Sequence, residues 1–144
     1  GEAVEAISRL QADVVFVAGI LTAENAERQL AGIEGSPTIV VLPQPPHDKD
    51  IKECYSRTGG PADCIGGIPA GWADEEEQLA ARVEGMFIDT SGWFCVDGYC
   101  PAFAGRIPTK MDITHLSPDY GLRLAPVMRE AFSEFDVLAV SGPE

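Results

Sequence analysis

Apolar and polar positions along the chain follow a helical period in some stretches and form unbroken apolar runs in others. The changes of period mark out the elements. In "EAVEAISRLQ", Val4, Ile7 and Leu10 fall on one helical face. "DVVFVAG" (13–19) is a continuous apolar, β-branched run, the pattern of a strand buried on both faces. "TAENAERQLAGIEG" (22–35) returns to the helical period, with Thr22 as cap and Gly35 as stop. "TIVVL" (38–42) predicts a second buried strand, "ADEEEQLAARVEG" (73–85) a third helix and "MFID" (86–89) a third strand. Ser117 as N-cap, Pro118 in the first turn and Asp119 beside it open a last helix. Its predicted buried face is Tyr120, Leu124, Val127, Met128, Ala131 and Phe135. The tail "DVLAVSGPE" reads as a frayed or edge strand.

Two stretches carry no clear period. Residues 43–73 are irregular, and loops of that length in small domains are usually functional or tied down. "TSGWFCVDGYCPAFAGRIP" reads as a Cys-pinned turn leading into a short strand or hairpin. Strand–helix alternation with apolar strands predicts an α/β domain built on a parallel sheet. Three strands apolar on both faces would leave open edges. A missing segment is therefore expected, either before Gly1, read as a boundary rather than a natural start, or on a second copy.

The 144 residues, 45% of them hydrophobic, suffice for a real core. No apolar run approaches the length of a membrane span, and no signal peptide opens the sequence. The net charge of −13 repels phosphate backbones and argues against nucleic acid or an anionic membrane surface as partner. Much of that charge is helix-face solvation, as in "ADEEEQLAARVEG". Four cysteines fall as two local pairs, Cys54 with Cys64 and Cys95 with Cys100. Four cysteines allow three pairings, and local pairing closes the shortest loops. The rival, a four-thiolate zinc site, ordinarily keeps paired ligands closer than "CYSRTGGPADC" does. Disulfides would place the domain outside the cytoplasm. No cofactor or metal is implied, since His47 is the only His besides His115 and lies far from it in sequence.

The chemistry-bearing stretch is "KMDITHLSPDYGLRLAPVMREAF" (110–132). A His acting as base toward a hydroxyl nucleophile needs one ring nitrogen free and the other held by an acceptor. In a turn before a helix, Asp112 lies close enough in sequence to hold His115 in that way. The alternative is a turn Asp beside a surface His. Other residues read as structural: His47 in an exposed loop, Trp93 packed on a disulfide, Trp72 anchoring the long loop, and "PQPP" as a stiff extended step. The Gly pairs 59–60 and 66–67 lack the Lys and the setting of a phosphate loop.

"CVDGYCP" combined with "DITHLS" resembles the C-terminal part of the SGNH-type domain fused to membrane acyltransferase 3 family proteins. "ADVVFVAG", "TIVVLPQPP" and the Cys loop before an acidic helix match in order and spacing, so the resemblance spans about residues 10–132. It implies a flavodoxin-like three-layer α/β sandwich and acyl transfer by a Ser–His–Asp triad. By that match Asp112 orients and His115 is the base. The resemblance further implies that a membrane acyltransferase domain of the parent protein would deliver the acyl group, and that a cell-surface glycan or other hydroxyl compound would accept it. The family's Gly-Asp-Ser nucleophile step is absent here. Ser91 sits in no strand-to-helix turn, and Ser117 reads as a cap. Gly19 is a weak match to an oxyanion-hole glycine; Leu21 replaces the following Asn, and Asn25 is displaced.

Residues 1–144 are thus expected to be the C-terminal part of a single SGNH-like domain. The missing N-terminal segment, or a second copy, would complete it. The expected function is extracytoplasmic O-acyl transfer, with the Ser outside this chain and the chain alone inactive. A simple esterase and a non-catalytic interaction or glycan-binding module that has lost its nucleophile are the alternatives.

Overall fold

The computed structural model describes residues 1–46, 48–54 and 58–136. His47 and all but Asp136 of the tail strand expected over 136–144 lie outside them. The elements, in order, are α1 (Glu2–Leu10), β1 (Val14–Ala18), α2 (Ala23–Leu30), β2 (Thr38–Leu42), α3 (Ile51–Cys54) and a 3₁₀ turn (Pro61–Cys64). There follow β3 (Gly66–Gly67), α4 (Asp74–Arg82), β4 (Met86–Phe87), α5 (Ser91–Phe94), β5 (Tyr99–Cys100), β6 (Phe103–Ala104), β7 (Ile107–Pro108) and α6 (Pro118–Glu134). They group into two compact units. One holds Gly1–Leu42, Ala73–Ile88 and the described residues from Glu130 on; the other holds Pro43–Trp72 and Asp89–Arg129.

In the first unit, β1, β2 and β4 form a parallel sheet in the order β1-β2-β4. Val14 pairs with Thr38 through to Ala18 with Leu42, and Val41 pairs with Phe87. Alternate positions share a face. Val17, Ile39, Val41 and Phe87 accordingly meet Ala23 and Ala26 of α2 with Leu79 and Ala80 of α4 in one core. The alanines let these helices lie close to the sheet. Gly85 is required for a related reason: a Cβ there would stand 2.9 Å from the Ile39 carbonyl oxygen of β2. The opposite face carries Phe16 and Val40, and Phe132 of α6 stacks on Phe16 with ring centroids 5.0 Å apart.

Several expectations change. β1 is not buried on both faces, since Phe16 is 45% exposed. As the outer strand in the described order, β1 has a neighbouring strand on one side only. Leu10, at the last position of α1 before the left-handed Gln11, is 74% exposed rather than packed. α2 stops at Leu30, well short of Gly35, because Gly32 and Ile33 return their N–H groups to Gln29 and Leu30 in a tightened turn. In α6, Tyr120, Leu124 and Met128 form the stripe against Phe94, Cys95 and Cys100. Val127, off that line, and Phe135, past the helix end, are exposed.

The second unit has little regular structure and is stapled instead. The irregular stretch contains α3, the 3₁₀ turn and β3, with Cys54 bonded to Cys64; Cys95 is bonded to Cys100. β3 pairs antiparallel with β5, and β6 with β7. Trp72 donates its ring N–H to the Gln44 carbonyl at 2.7 Å, anchoring the long loop. Two small clusters are buried, one around Phe94, the Cys95–Cys100 bond and Leu124, the other around Ile51, Cys64 and Ala102. Among the described residues no helix is long and apolar enough to cross a membrane.

Leu79 is fully buried while Leu10 is largely in water. Leu79→Ala should cost about 2–5 kcal/mol and Leu10→Ala under about 0.5 kcal/mol, read as shifts of the urea midpoint. Equal shifts would show that the α2–sheet–α4 core is not where the first unit is held.

Candidate active site

Asp112 and His115 lie in a short loop whose two stems are fixed. On one side β7 runs into Thr109, which donates its N–H to Ala102 and its hydroxyl to Pro101. Lys110 then pairs with Leu116 across an antiparallel bridge, and Met111 donates its N–H to the His115 carbonyl at 2.8 Å, closing residues 111–115 into a loop. On the other side Ser117 donates its hydroxyl to the Pro108 carbonyl and accepts the Tyr120 N–H at 3.2 Å, capping α6. Leu116 packs beside the Cys95–Cys100 cluster. The ring therefore sits one residue from a stem anchored by these bonds and contacts.

Inside the loop the Asp112 carboxylate organises the backbone and the ring together. Its Oδ1 accepts the N–H of Thr114 at 2.9 Å and of His115 at 2.8 Å, the short-range turn that Asp side chains favour. His115 Nδ1 lies 2.9 Å from Oδ1 and 2.8 Å from Oδ2. The backbone N–H of Thr114, then that of His115, then the ring hold the Asp112 carboxyl well below the usual carboxylate range. An ionised carboxylate only accepts, so Nδ1 is the donor and the neutral ring keeps Nε2 as its basic atom. The His115 side chain is 69% exposed, and Nε2 has no hydrogen-bond partner among the described residues. This arrangement can take a proton from a hydroxyl brought to Nε2 and hold the resulting imidazolium against Asp112.

The other site expectations fall elsewhere. Gly19 ends β1 in a left-handed conformation with φ of +67°, in the first unit, whereas the Asp112–His115 loop is in the second. Asn25 lies on the exposed surface of α2, where it accepts a hydrogen bond from Arg28. Ser91 opens the four-residue α5, its N–H held by Asp89. The Ser117 hydroxyl is engaged at both ends, as a cap should be. Trp93 packs with the Cys95–Cys100 cluster, and its carbonyl accepts the Tyr120 hydroxyl at 2.6 Å.

One residue escaped the sequence reading. Lys110, two positions before Asp112, is 1% exposed, and its ammonium donates to the Pro46 carbonyl at 3.0 Å across 64 positions of sequence. Burial pulls its pKa down to about 8, partly offset by the negative charge of Asp48. A Lys beside a polar loop ordinarily reads as a solvated charge, and nothing in the local period marks it as buried. It ties the stem of the Asp112–His115 loop to the segment that follows β2.

The parallel α/β sheet covered by helices, together with the disulfide-stapled second unit, makes this an SGNH-like α/β chain. Over residues 2–130 the sequence matches the family described as "SGNH domain (fused to AT3 domains)", and the chain belongs to that family. Its fold is similar to that of the lipopolysaccharide acetyltransferase periplasmic domain of Salmonella ser. Paratyphi A, with a TM-score of 0.58 and 14% sequence identity. That likeness covers 90% of this chain and 60% of the other, so the chain spans about three fifths of its length. A search of curated proteins returns no match.

Because the folded pKa of Lys110 lies below the ordinary 10.5, the folded chain binds fewer protons than the unfolded chain above about pH 8. Stability contributed by this site therefore rises with pH from about 8 toward 10.5. Urea unfolding of wild type and Lys110→Met between pH 7 and 9.5 should show wild type gaining on the variant, on the order of 1 kcal/mol across the window. Parallel curves would mean that Lys110 is not buried as an ammonium.

Proposed function

We propose that this chain supplies the His–Asp part of an extracytoplasmic acyl-transfer site that modifies a hydroxyl group of a cell-surface glycan. The observation that carries the reading is the bidentate approach of His115 Nδ1 to an Asp112 carboxylate already fixed by two backbone N–H groups. Three further observations support it. The family's members are fused to AT3 domains, which suits a membrane partner that presents the acyl group. A structure of similar fold is the periplasmic domain of an acetyltransferase acting on lipopolysaccharide. Two disulfides suit an oxidising compartment.

In the reaction, a Ser hydroxyl from outside these 144 residues attacks the acyl carbonyl while Nε2 of His115 takes its proton. Asp112 holds the ring and stabilises the imidazolium. Collapse of the tetrahedral intermediate expels the donor's leaving group, which receives that proton. The acceptor hydroxyl then attacks the acyl-Ser, giving its proton to Nε2, and the Ser regains a proton as the ester is released. Residues 1–144 are on this reading the C-terminal part of one SGNH-like domain, completed by a preceding segment that carries the Ser. Gly19 enters as an oxyanion donor through the family match alone.

In the parent protein bearing the AT3 domain, His115→Ala should lower acyl transfer to the glycan by about 10³-fold or more, and Asp112→Asn by about 10²–10⁴-fold. Ser91→Ala should leave the rate unchanged. The 144-residue chain by itself should not hydrolyse a model acyl ester. Full transfer by His115→Ala would sink the catalytic reading in favour of a binding module. Ester hydrolysis by the chain alone, abolished in His115→Ala, would put the nucleophile inside it.

A further inference from the structure

Half of the backbone bonding capacity of β1 is unused. Val14 pairs with Thr38, and Thr38 donates its N–H to the Asp13 carbonyl, so the odd-numbered residues of β1 turn their backbone groups to β2. The N–H and C=O groups of Val14, Phe16 and Ala18 therefore point outward. β1 is outermost in the strand order, and no described strand meets them. Edge strands are ordinarily guarded by charge, proline or a bulge. "VVFVA" carries neither charge nor proline, and its register with β2 runs without a bulge. Beside this edge lies an apolar groove of about 420 Å³, lined by Val4 and Ile7 of α1, Val15 and Val17 of β1, and Leu30 and Ile33. No residue of α1 is buried, although Val4 and Ile7 are turned to the groove.

The handedness of the sheet connections indicates what belongs there. The chain steps from β1 to β2 to β4 in one direction, with α2 and α4 on the face that carries Val17 and Val41. Parallel strands joined through a helix keep one hand of crossover. α1 lies on the same face as α2: both line the groove, and Val4 stands 3.3 Å from a Cβ built on Gly32, just past the end of α2. By the same hand, the strand leading into α1 falls on the free side of β1 and runs parallel to it. The similar acetyltransferase domain is longer, with about two fifths of its chain outside the likeness.

We propose that the Ser-bearing segment preceding α1 adds a parallel strand to the free edge of β1, a placement that rests on the function proposed above. Side chains of that strand alternate between the groove and the face that carries Phe16. Being parallel, the strand ends beside Ala18 and Gly19, at the end of the sheet where strand-to-helix turns of open α/β folds gather reacting groups. Leu21, at that end, is 89% exposed and gains a neighbour. A second copy of the chain is a poorer occupant, because a net charge of −13 on each copy repels the other.

The test is amide hydrogen exchange of the parent protein bearing the AT3 domain, read residue by residue along β1. The amides of Phe16 and Ala18 should exchange as slowly as those of Val15 and Val17. Exchange that alternates by about 10²-fold along the strand, fast at Phe16 and Ala18, overturns the proposal. Photoreactive benzoylphenylalanine in place of Phe16 then identifies the neighbour. A cross-link to a residue before α1 in the same chain is expected, and capture of the AT3 domain or of a second copy instead overturns it. Should that variant lose its fold, wild-type exchange at two protein concentrations decides. Protection that persists on dilution supports the segment, and protection lost on dilution marks a second copy and overturns it. Alternating exchange alongside an inactive His115→Ala would remove the docking edge and leave acyl transfer standing. A protected, cross-linked β1 alongside a fully active His115→Ala would do the reverse.

Discussion

A single carboxylate carries the loop on which the functional reading depends. Asp112 accepts two backbone N–H groups and the His115 ring, so the group that shapes the turn also sets the imidazole. These roles reinforce one another. The backbone donors stabilise the charged form of Asp112, and the charged form is what makes Nδ1 a donor and leaves Nε2 basic. Replacing the Asp would therefore disturb the fold of the loop and the tautomer of the ring together. Asn at this position could still accept backbone N–H groups through its carbonyl, so it separates the two roles better than Ala.

The loop keeps its geometry because its stems are tied to distant parts of the second unit. Leu116 packs into the cluster built on the Cys95–Cys100 bond, while Lys110 reaches Pro46 from the other stem. A buried ammonium is an expensive way to make such a tie, since an apolar side chain of similar volume would avoid the desolvation. What the ammonium adds is direction, because its hydrogen bond to one carbonyl fixes the stem at a particular point. Two-residue strands could not do this alone. The pairing of β3 with β5 is buttressed by the disulfides that flank it and by Asp48 holding Gly67, rather than by a hydrophobic period.

These differences explain what the sequence disclosed. β2 was legible residue for residue, because "TIVVL" is an unbroken β-branched and apolar run, as suits a strand with a neighbour on each side. The caps Thr22 and Ser117 were legible because capping is a local bond, three positions long. The Asp112–His115 contact is local for the same reason. Lys110 was not legible, since its burial depends on a carbonyl 64 positions away. Phe16 was misjudged because an apolar run cannot reveal whether its strand has one neighbour or two.

The exposure of the ring bounds what this loop can do unaided. With His115 69% exposed, water surrounds the atom that would take the proton. Charges in water attract weakly, whereas the same charges in a dry site interact several times more strongly. The Asp112–His115 pair is thus preorganised in orientation but not in dielectric. Orientation comes from a few consecutive residues and survives wherever that loop folds. Exclusion of water needs a surface laid over Nε2, and a substrate or the segment bearing the nucleophile would provide it on arrival. On the proposed reading, the isolated pair should be inert toward esters and should act only once such a covering surface is in place.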